Sequence, residues 1–343
     1  MFSSVSSVVI NHNLTTEDTE RTEDYNRLMN GTLIIDKPAG ITSHDVVARV
    51  RRTIGQRRVG HTGTLDPFAT GVLVVLLGNA TRLLQFLSGA EKEYEAVIRF
   101  GYATDTGDVT GHPVDNYGKQ PSPPTLREED IEAAMASLRG EITQVPPMYS
   151  AKKVKGEKLY ELARRGEVIE RTPVQVTISD FAMIETDEKL LTTHEDGTRD
   201  LCVKVTCSAG TYVRTLAEDL GARLGVGAHL AALRRTRAGG FKVEDAITLE
   251  RLAELAEAHE VADVMISMDE TVEHLPVVEL NDNEVRRVLN GVDIEIESEH
   301  QNRQAIRLRS VSGELIAVGV YDTSRRIIHP QVVLGAESQN GLR

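Results

Sequence analysis

A single aspartate in a loop rich in glycine and threonine is the first candidate for chemistry. The stretch GHTGTLDPFATGVL, from Gly60 to Leu73, holds Asp66 directly before a proline. A glycine-rich phosphate loop ends in lysine followed by serine or threonine, because a cation must meet the phosphate. Asp66 would repel a phosphate, so this stretch does not indicate nucleotide binding.

Two interpretations of Asp66 follow from the residues alone. An aspartate before a proline commonly opens a turn and caps it with its own side chain. The glycines around Asp66, however, permit a ligand to approach closely, and the apolar run VLVVLL that follows offers support. A carboxylate displayed in this way can act as a nucleophile or as a general base.

The composition predicts an ordinary globular protein without a metal site. The chain has 343 residues, of which 40% are hydrophobic and 27% charged, enough for two domains. It shows no apolar run long enough to span a membrane, and the first residues lack the features of a signal peptide. Cys202 and Cys207 are five residues apart, which on a strand predicts opposite faces and no disulfide. We expect a reduced, cytoplasmic protein.

The charge is distributed unevenly. The net charge is −13, and the segment from Val243 to His300 alone holds 17 acidic and 3 basic residues. Three other segments are basic: Lys37–Gly60, Gln144–Arg171 and His229–Lys242. These segments could bind a polyanion while the acidic region faces elsewhere. Each could equally be a solvated surface.

The order of the predicted elements favours an α+β fold over a doubly wound sheet. Buried strands are predicted in GTLIIDK and GVLVVLLG. An amphipathic helix is predicted in TSHDVVARVRRTIG. A second helix, which ends at Gly140, is predicted after a Pro-rich linker. We predict a disordered tail over 1–29, a main domain over 30–270, a small β-rich domain over 271–336 and a tail over 337–343.

Four blocks of the sequence resemble a known family. They are LIIDKPAGITSHDVV, RRVGHTGTLDPFATGVLVVLLGNATRL, VPPMYSAKKVKGEKLYELARRG, and CSAGTYVRTLAEDLGARLG followed by GAHLAALRRTRAG. In this order they resemble the motifs of the bacterial TruB family, the tRNA pseudouridine-55 synthases. The C-terminal module resembles the PUA domain of that family. The resemblance implies the pseudouridine synthase fold, an α+β fold with a mixed, largely antiparallel central sheet and flanking helices. It also implies an isomerase that needs no cofactor.

The resemblance assigns three catalytic residues. Asp66 stands at the family's nucleophilic aspartate, and Arg214 at the arginine that pairs with it. Tyr94 stands at a tyrosine that stacks on the flipped uracil and is a candidate to take the proton from C5. From the residues alone, Arg214 could be a helix-surface arginine and Tyr94 a core residue. Whether the aspartate attacks the ribose or the base stays open.

The resemblance also assigns substrate-binding residues. His61 would fill the space left by the flipped nucleotide, while Tyr212 and Leu233 would line the base pocket. Lys37 would contact the site or stiffen it. The segment 144–171 corresponds to an RNA-gripping insertion, whose lysines would lie along phosphates; they are Lys152, Lys153 and Lys155.

The implied partner is the T arm of tRNA, bound by a monomer that needs no obligate protein partner and no membrane. Two alternatives stay open. Guide-RNA-dependent enzymes of archaea and eukaryotes share these motifs but work inside a ribonucleoprotein. An RNA-binding protein without turnover would not require the set Asp66, Tyr94 and Arg214. A nucleotide hydrolase is disfavoured, because the chain contains no GxxxxGK[ST] motif.

Overall fold

A computed structural model describes most of the chain. The described residues are 28–114, 126–150, 153–154, 157–158, 165, 169–184, 190–298 and 300–335. No helix within these ranges is both long and apolar enough to cross a membrane.

The strands and helices alternate irregularly along the chain. The strands are β1 (Gly31–Lys37), β2 (Val59–Thr62), β3 (Thr70–Leu77), β4 (Lys92–Phe100), β5 (Gly140–Gln144), β6 (Lys153–Val154), β7 (Glu157–Lys158), β8 (Val174–Met183), β9 (Leu191–Thr193), β10 (Arg199–Cys207), β11 (Ala228–Ala238), β12 (Phe241–Lys242), β13 (Val277–Leu280), β14 (Ile294–Glu295), β15 (Ala305–Ser310), β16 (Leu315–Asp322) and β17 (Ile327–Val333). The α-helices are α1 (Ser43–Thr53), α2 (Leu84–Leu87), α3 (Glu128–Ala136), α4 (Val213–Arg223), α5 (Leu249–Glu257), α6 (Met268–Thr271) and α7 (Asp282–Leu289).

Ten strands form the central sheet. Its main order is β1-β3-β11-β4-β10-β8-β5, with β2 paired to β3, β9 to β10 and β12 to β11. Among the described strands of this sheet only β3 and β11 run parallel, over the pairs Arg234↔Thr70 and Arg235↔Gly71. The predicted α+β class with a mixed, largely antiparallel sheet is confirmed.

Helix α1 forms where the sequence predicts it, for identifiable reasons. Thr42 accepts a hydrogen bond from the backbone N–H of Asp45, whose side chain bonds back to Thr42 in a capping box. Val46, Val47 and Val50 are buried on one face and pack in one cluster with residues of β1, β3 and α5. A second cluster lies between the sheet and helices α3 and α4.

One predicted boundary was wrong. The helix expected to end at Gly140 ends at Ala136, with Ser137 as its C-cap. Leu138 then turns into the core, where it is buried. Gly140 adopts a left-handed backbone with φ 82° and begins β5. The glycine therefore starts a strand and does not close the helix.

The C-terminal residues form a second sheet of five strands, in the order β13-β15-β16-β17-β14. It packs against the segment that follows β3, because Leu83 and Leu87 share a buried cluster with Val272, Val318 and Val332. Helix α7 and strands β15, β16 and β17 make up most of this part of the chain. The division of the chain at residue 271 stays a prediction.

Candidate active site

The loop between β2 and β3 holds Asp66 by its neighbours. Leu65 is buried, its N–H donates to Ser43 Oγ at 2.9 Å, and Ser43 Oγ donates to the Leu65 carbonyl at 3.2 Å. The carbonyl of Asp66 accepts from the N–H of Ala69 at 3.1 Å, which closes the turn. These bonds fix the backbone and leave the Asp66 side chain 34% exposed.

Lys37 lies beneath the same loop. Its side chain is fully buried, and its Nζ donates to the carbonyls of Pro38 at 3.0 Å, Pro67 at 3.2 Å and Ala69 at 2.7 Å. Burial lowers the pKa of Lys37 to about 8, against the influence of Asp66, which raises it. An ammonium group has three donors, so these three contacts support stiffening of the loop, one of the two roles expected for Lys37.

Arg214 comes from a distant part of the chain to meet Asp66. It is the second residue of α4, and its side chain is only 5% exposed. Its Nε lies 2.9 Å from Asp66 Oδ2, and its Nη2 donates to Asp66 Oδ1 at 3.1 Å. A bidentate guanidinium–carboxylate pair fixes both the charge and the plane of the carboxylate.

Two carbonyls hold the other side of that guanidinium. Arg214 Nη1 donates to the Thr106 carbonyl at 2.8 Å, and Nη2 donates to the Tyr149 carbonyl at 2.7 Å. Asp108, which the sequence did not single out, has its Oδ2 at 3.7 Å from Nη1 and is itself buried. The site therefore has two carboxylates around one arginine, and Asp66 is the more exposed of the two.

Opposing influences act on the pKa of Asp66. Burial of the loop is the largest and raises that pKa above its ordinary value, with Asp108 acting in the same direction. Arg214 opposes the rise by charge and hydrogen bonding, as Lys37 does by charge. A nucleophilic carboxylate must be ionised, so Arg214 favours the reactive form.

Tyr94 and Leu233 line the sheet beside the loop. Tyr94 in β4 and Leu233 in β11 are both buried and belong to the same apolar cluster as Leu65 and Ala69. Burial raises the pKa of the Tyr94 hydroxyl above its ordinary value. Tyr94 and Leu233, both expected at the site, therefore lie in the same cluster as two close sequence neighbours of Asp66. Both residues are also part of the hydrophobic core.

His61 lies at the end of β2 on the α1 side of the loop. Its ring meets that of His44 edge-on, with centroids 5.5 Å apart. Its Nδ1 is buried, and no described residue bonds to it. Burial lowers the pKa of His61 to about 4, with His44 and Arg235 acting in the same direction, so the ring is neutral at neutral pH. A neutral ring suits insertion into a base stack better than proton transfer.

Tyr212 is the N-cap residue of α4, two positions before Arg214. Its N–H donates to Gln144 Oε1 at 3.0 Å, and its carbonyl accepts from Gln144 Nε2 at 3.3 Å. Gln144 is itself buried. This reciprocal pair ties the start of α4 to β5 and holds Tyr212 half-buried near the guanidinium.

The lysines expected to grip RNA are Lys152, Lys153 and Lys155. Lys152 and Lys155 lie outside the described residues, and for Lys153 only the backbone is described, in the short β6–β7 pair. Exposed basic residues are nevertheless present near His61. They lie on or just after α1: Arg49, Arg51, Arg52, Arg57 and Arg58.

A metal site is not formed by the part of the chain that the structure describes: no group of three or more histidine, cysteine or acidic side chains there could hold an ion. No disulfide joins Cys202 to Cys207. The described residues bring together a partly exposed carboxylate, a buried arginine that pairs with it and a buried tyrosine in the adjoining cluster.

The structure therefore combines a mixed sheet with a partly exposed aspartate that a buried arginine holds. Comparison with known proteins specifies the family. Residues 51–213 match the model of the TruB family pseudouridylate synthase N-terminal domain. Residues 214–293 match that of the tRNA pseudouridylate synthase B C-terminal domain. The chain therefore belongs to the TruB family of pseudouridylate synthases. It is a pseudouridine synthase, which is an isomerase.

Individual relatives agree with this assignment. The tRNA pseudouridine synthase B of Thermobifida fusca is 47% identical over 264 residues, covering 77% of this chain and 86% of the relative. The protein of that name from Bacillus velezensis is 37% identical, covering 91% of this chain and 100% of the relative. Among solved structures, a Cbf5–Nop10–Gar1 complex matches with a TM-score of 0.68 at 28% identity, covering 88% of this chain and 84% of that one.

Proposed function

We propose that this protein converts uridine 55 in the T loop of tRNA to pseudouridine, with Asp66 as the nucleophile and without a cofactor. The observation that carries the proposal is the bidentate Asp66–Arg214 pair. Its arginine is buried, whereas its carboxylate is one-third exposed on a rigid loop. A structural ion pair would gain nothing from leaving the acid open to a ligand.

The reaction is a rearrangement that balances within the nucleotide. The N1–C1′ bond of the uridine breaks, the uracil turns, and a C5–C1′ bond forms. The proton on C5 is lost and N1 gains one. Asp66 attacks C1′ or C6 to permit the detachment, which requires its ionised form. Arg214 keeps the carboxylate ionised and aimed, because the guanidinium is held by two carbonyls as well.

The other residues have roles in holding the extruded base. Tyr94 stacks on the uracil and receives the C5 proton, while Leu233 and Tyr212 line the pocket. Flipping a base costs a few kcal/mol, and the neutral His61 ring offsets this by filling the vacated space. Lys37 positions the loop through its carbonyl contacts.

RNA binding is supported by the exposed arginines near His61 and by the basic insertion over 144–171 with its lysines. Phosphate contacts of this kind give affinity without sequence reading. We expect a monomer acting in the cytoplasm on free tRNA. The relatives named tRNA pseudouridine synthase B favour action on free tRNA over guided action. A solved H/ACA RNP bound to a substrate RNA shares the fold, with a TM-score of 0.67.

The test is tritium release from a T-arm stem-loop labelled at C5 of uridine 55. The purified chain is compared with Asp66→Asn at equal RNA occupancy, without guide RNA or added metal. A second stem-loop of the same length, labelled in an anticodon loop, is the control substrate. Release from the T arm alone, and only by the unaltered chain, is the expected result. Binding without release would contradict stand-alone catalysis, and release by Asp66→Asn would contradict the role of Asp66.

A further inference from the structure

A second buried arginine lies beneath the site. Arg235 in β11 is 1% exposed and has the largest of the fully buried side chains in the described part of the chain. Burying a guanidinium costs several kcal/mol unless a partner compensates the charge. No described carboxylate forms an ion pair with Arg235, in contrast to Arg214 with Asp66. A cation retained at this cost invites a functional explanation.

The hydrogen bonds of Arg235 join two parts of the site. Its Nε donates to the carbonyl of Val72 in β3 at 2.7 Å, and its Nη2 donates to the carbonyl of Gly63 at 2.8 Å. Gly63 belongs to the loop that carries Asp66. Its φ of 68° and the lack of a side chain let the guanidinium approach, because a Cβ there would lie 3.2 Å from Nη1.

Tyr94 is the cross-strand partner of Arg235. The two residues oppose each other in the antiparallel register of β4 and β11, so their side chains share one face of the sheet. Both are buried. Burial raises the pKa of the Tyr94 hydroxyl, and the charge of Arg235 is the next largest influence and lowers it. Arg235 also lowers the pKa of Lys37, His61 and Lys92, where burial is the larger cause.

We propose that Arg235 is a positioning residue that acts through Tyr94. Its guanidinium holds the Asp66 loop and the Tyr94 ring as one rigid unit, and its charge stabilises the phenolate that receives the C5 proton. An arginine can only donate hydrogen bonds, so it favours a phenol oxygen that acts as an acceptor. The inference rests on the proposed function, because it concerns a step of that reaction.

The step in question is the last one. After C5 has bonded to C1′, C5 still carries its hydrogen and the ring has a C6–N1 double bond. The C5–H bond breaks, its electron pair forms the C5–C6 double bond, and the C6–N1 pair moves onto N1. The proton goes to the Tyr94 oxygen, and N1 takes a proton from solvent. Before this transfer Tyr94 gives its own hydroxyl proton to solvent, which burial disfavours, and Arg235 offsets the negative charge of the resulting phenolate.

A deuterium isotope effect distinguishes this role from a merely structural one. Single-turnover rates are measured with T-arm stem-loops carrying hydrogen or deuterium at C5 of the reacting uridine. The enzymes are the unaltered chain, Arg235→Met, Arg235→Lys and the matched control Arg234→Met. Arg234 is the next residue along β11, is 39% exposed and pairs with Asp36. Thermal melts report folding.

In Arg235→Met the rate should fall about 10²-fold, the size expected for loss of one preorganised charged donor. The isotope effect should rise above that of the unaltered chain, because C5–H cleavage becomes slower than the other steps. Arg235→Lys should lie between the two, and Arg234→Met should keep the original isotope effect.

A slow Arg235→Met with an unchanged isotope effect would overturn the inference. Should Arg235→Met fail to fold, Arg235→Lys decides: an isotope effect equal to that of the unaltered chain would overturn the inference as well. Absence of tritium release from the unaltered chain would instead refute the proposed function, so the two failures are distinguishable.

Discussion

Two of the clusters of arginine and carboxylate in the described part of the chain differ in what they leave exposed. At the Asp66 loop, the arginine is 5% exposed and the carboxylate 34%. Where α6 meets the second sheet, Asp269 bonds to Arg307 at 3.1 Å and lies 3.7 Å from Arg309, with the acid 21% and Arg307 13% exposed.

The difference lies in the backbone that carries each acid. Asp66 is on a glycine-containing loop whose main chain is held by Lys37 and Ser43, so its side chain is free to face a ligand. Asp269 is on a short helix between the two sheets, where both arginines on β15 turn toward it. The same ion-pair chemistry therefore leaves a carboxylate accessible in one place and closes a packed contact in the other.

The sharpest test of this contrast replaces each acid with its amide. Asp66→Asn should reduce pseudouridine formation by about 10⁴-fold or more, as when a nucleophile is removed, while the free energy of unfolding falls little. Asp269→Asn should leave the rate per folded molecule unchanged and lower the free energy of unfolding. Tritium release and denaturant titration measure both properties. Loss of activity in folded Asp269→Asn would break the comparison.

The second test replaces the arginines. Arg214→Met should slow the reaction about 10²–10³-fold and move the acid limb of the pH–rate profile to higher pH. The sign follows from the structure: Arg214 lowers the pKa of Asp66, so its loss raises that pKa and delays ionisation. The control Arg307→Met should leave the acid limb of the pH–rate profile at the same pH. An unmoved limb in Arg214→Met would contradict the electrostatic role.

The third test compares two glycines with left-handed backbones. Gly71 has φ 97°, and a Cβ there would lie 2.2 Å from the Arg235 carbonyl oxygen, whereas Gly313 has φ 89° and open space around it. Gly313→Ala should cost about 1–3 kcal/mol from backbone strain alone. Gly71→Ala should add about 1–3 kcal/mol of overpacking and push β3 away from β11.

The measurement for this pair is the denaturant midpoint at constant slope, together with activity. Gly71→Ala should lose both stability and activity, because the parallel contact of β3 and β11 supports the Asp66 loop. Gly313→Ala should keep its activity. Equal losses of stability in the two variants would show that the close contact at Gly71 is relieved by a small shift.

The smallest expected effects concern two glutamates with opposite pH dependence. Burial raises the pKa of Glu218, one turn after Arg214, to about 7. Its stabilising contribution is present below its ordinary pKa and is lost as pH rises through about 7. The hydrogen bonds of Ser267 lower the pKa of Glu270, whose contribution is present above its ordinary pKa and lost as pH falls through the lowered value.

Denaturant titrations from acid to neutral pH measure how the free energy of unfolding changes with pH and so test both predictions. Glu218→Gln should flatten the loss of stability near neutral pH, and Glu270→Gln should flatten the loss in acid. A Glu218→Gln variant whose stability still falls near pH 7 as in the unaltered chain would show that another group titrates there.

The sequence could predict the local part of this architecture. The capping box of α1, the buried strand β3 and the fold class follow from spacing and residue type over a few positions. The resemblance to a family identified Asp66 and Arg214, which are 148 residues apart. Periodicity alone could not have joined them, because it carries no information on which distant elements meet.

Other features of the site were not predicted from the sequence. The backbone carbonyls of Thr106 and Tyr149 accept hydrogen bonds from Arg214. Their positions depend on the course of the backbone in the fold, which the residue types do not predict. Asp108 looks like an ordinary turn residue in TDTGDVTG. Arg235 is one of several arginines in LRRTRAG, and its burial depends on Gly63 and Gly71 making room for it.

Strand β3 separates the Asp66 loop from the segment that packs against the second sheet. The Asp66 loop precedes this strand, and the segment against which the C-terminal sheet packs follows it. Eight extended residues span about 26 Å, and this length is fixed because β3 pairs with β1, β2 and β11. Inserting one residue would invert the faces of the strand. The strand therefore holds the distance between the Asp66 loop and the second sheet constant.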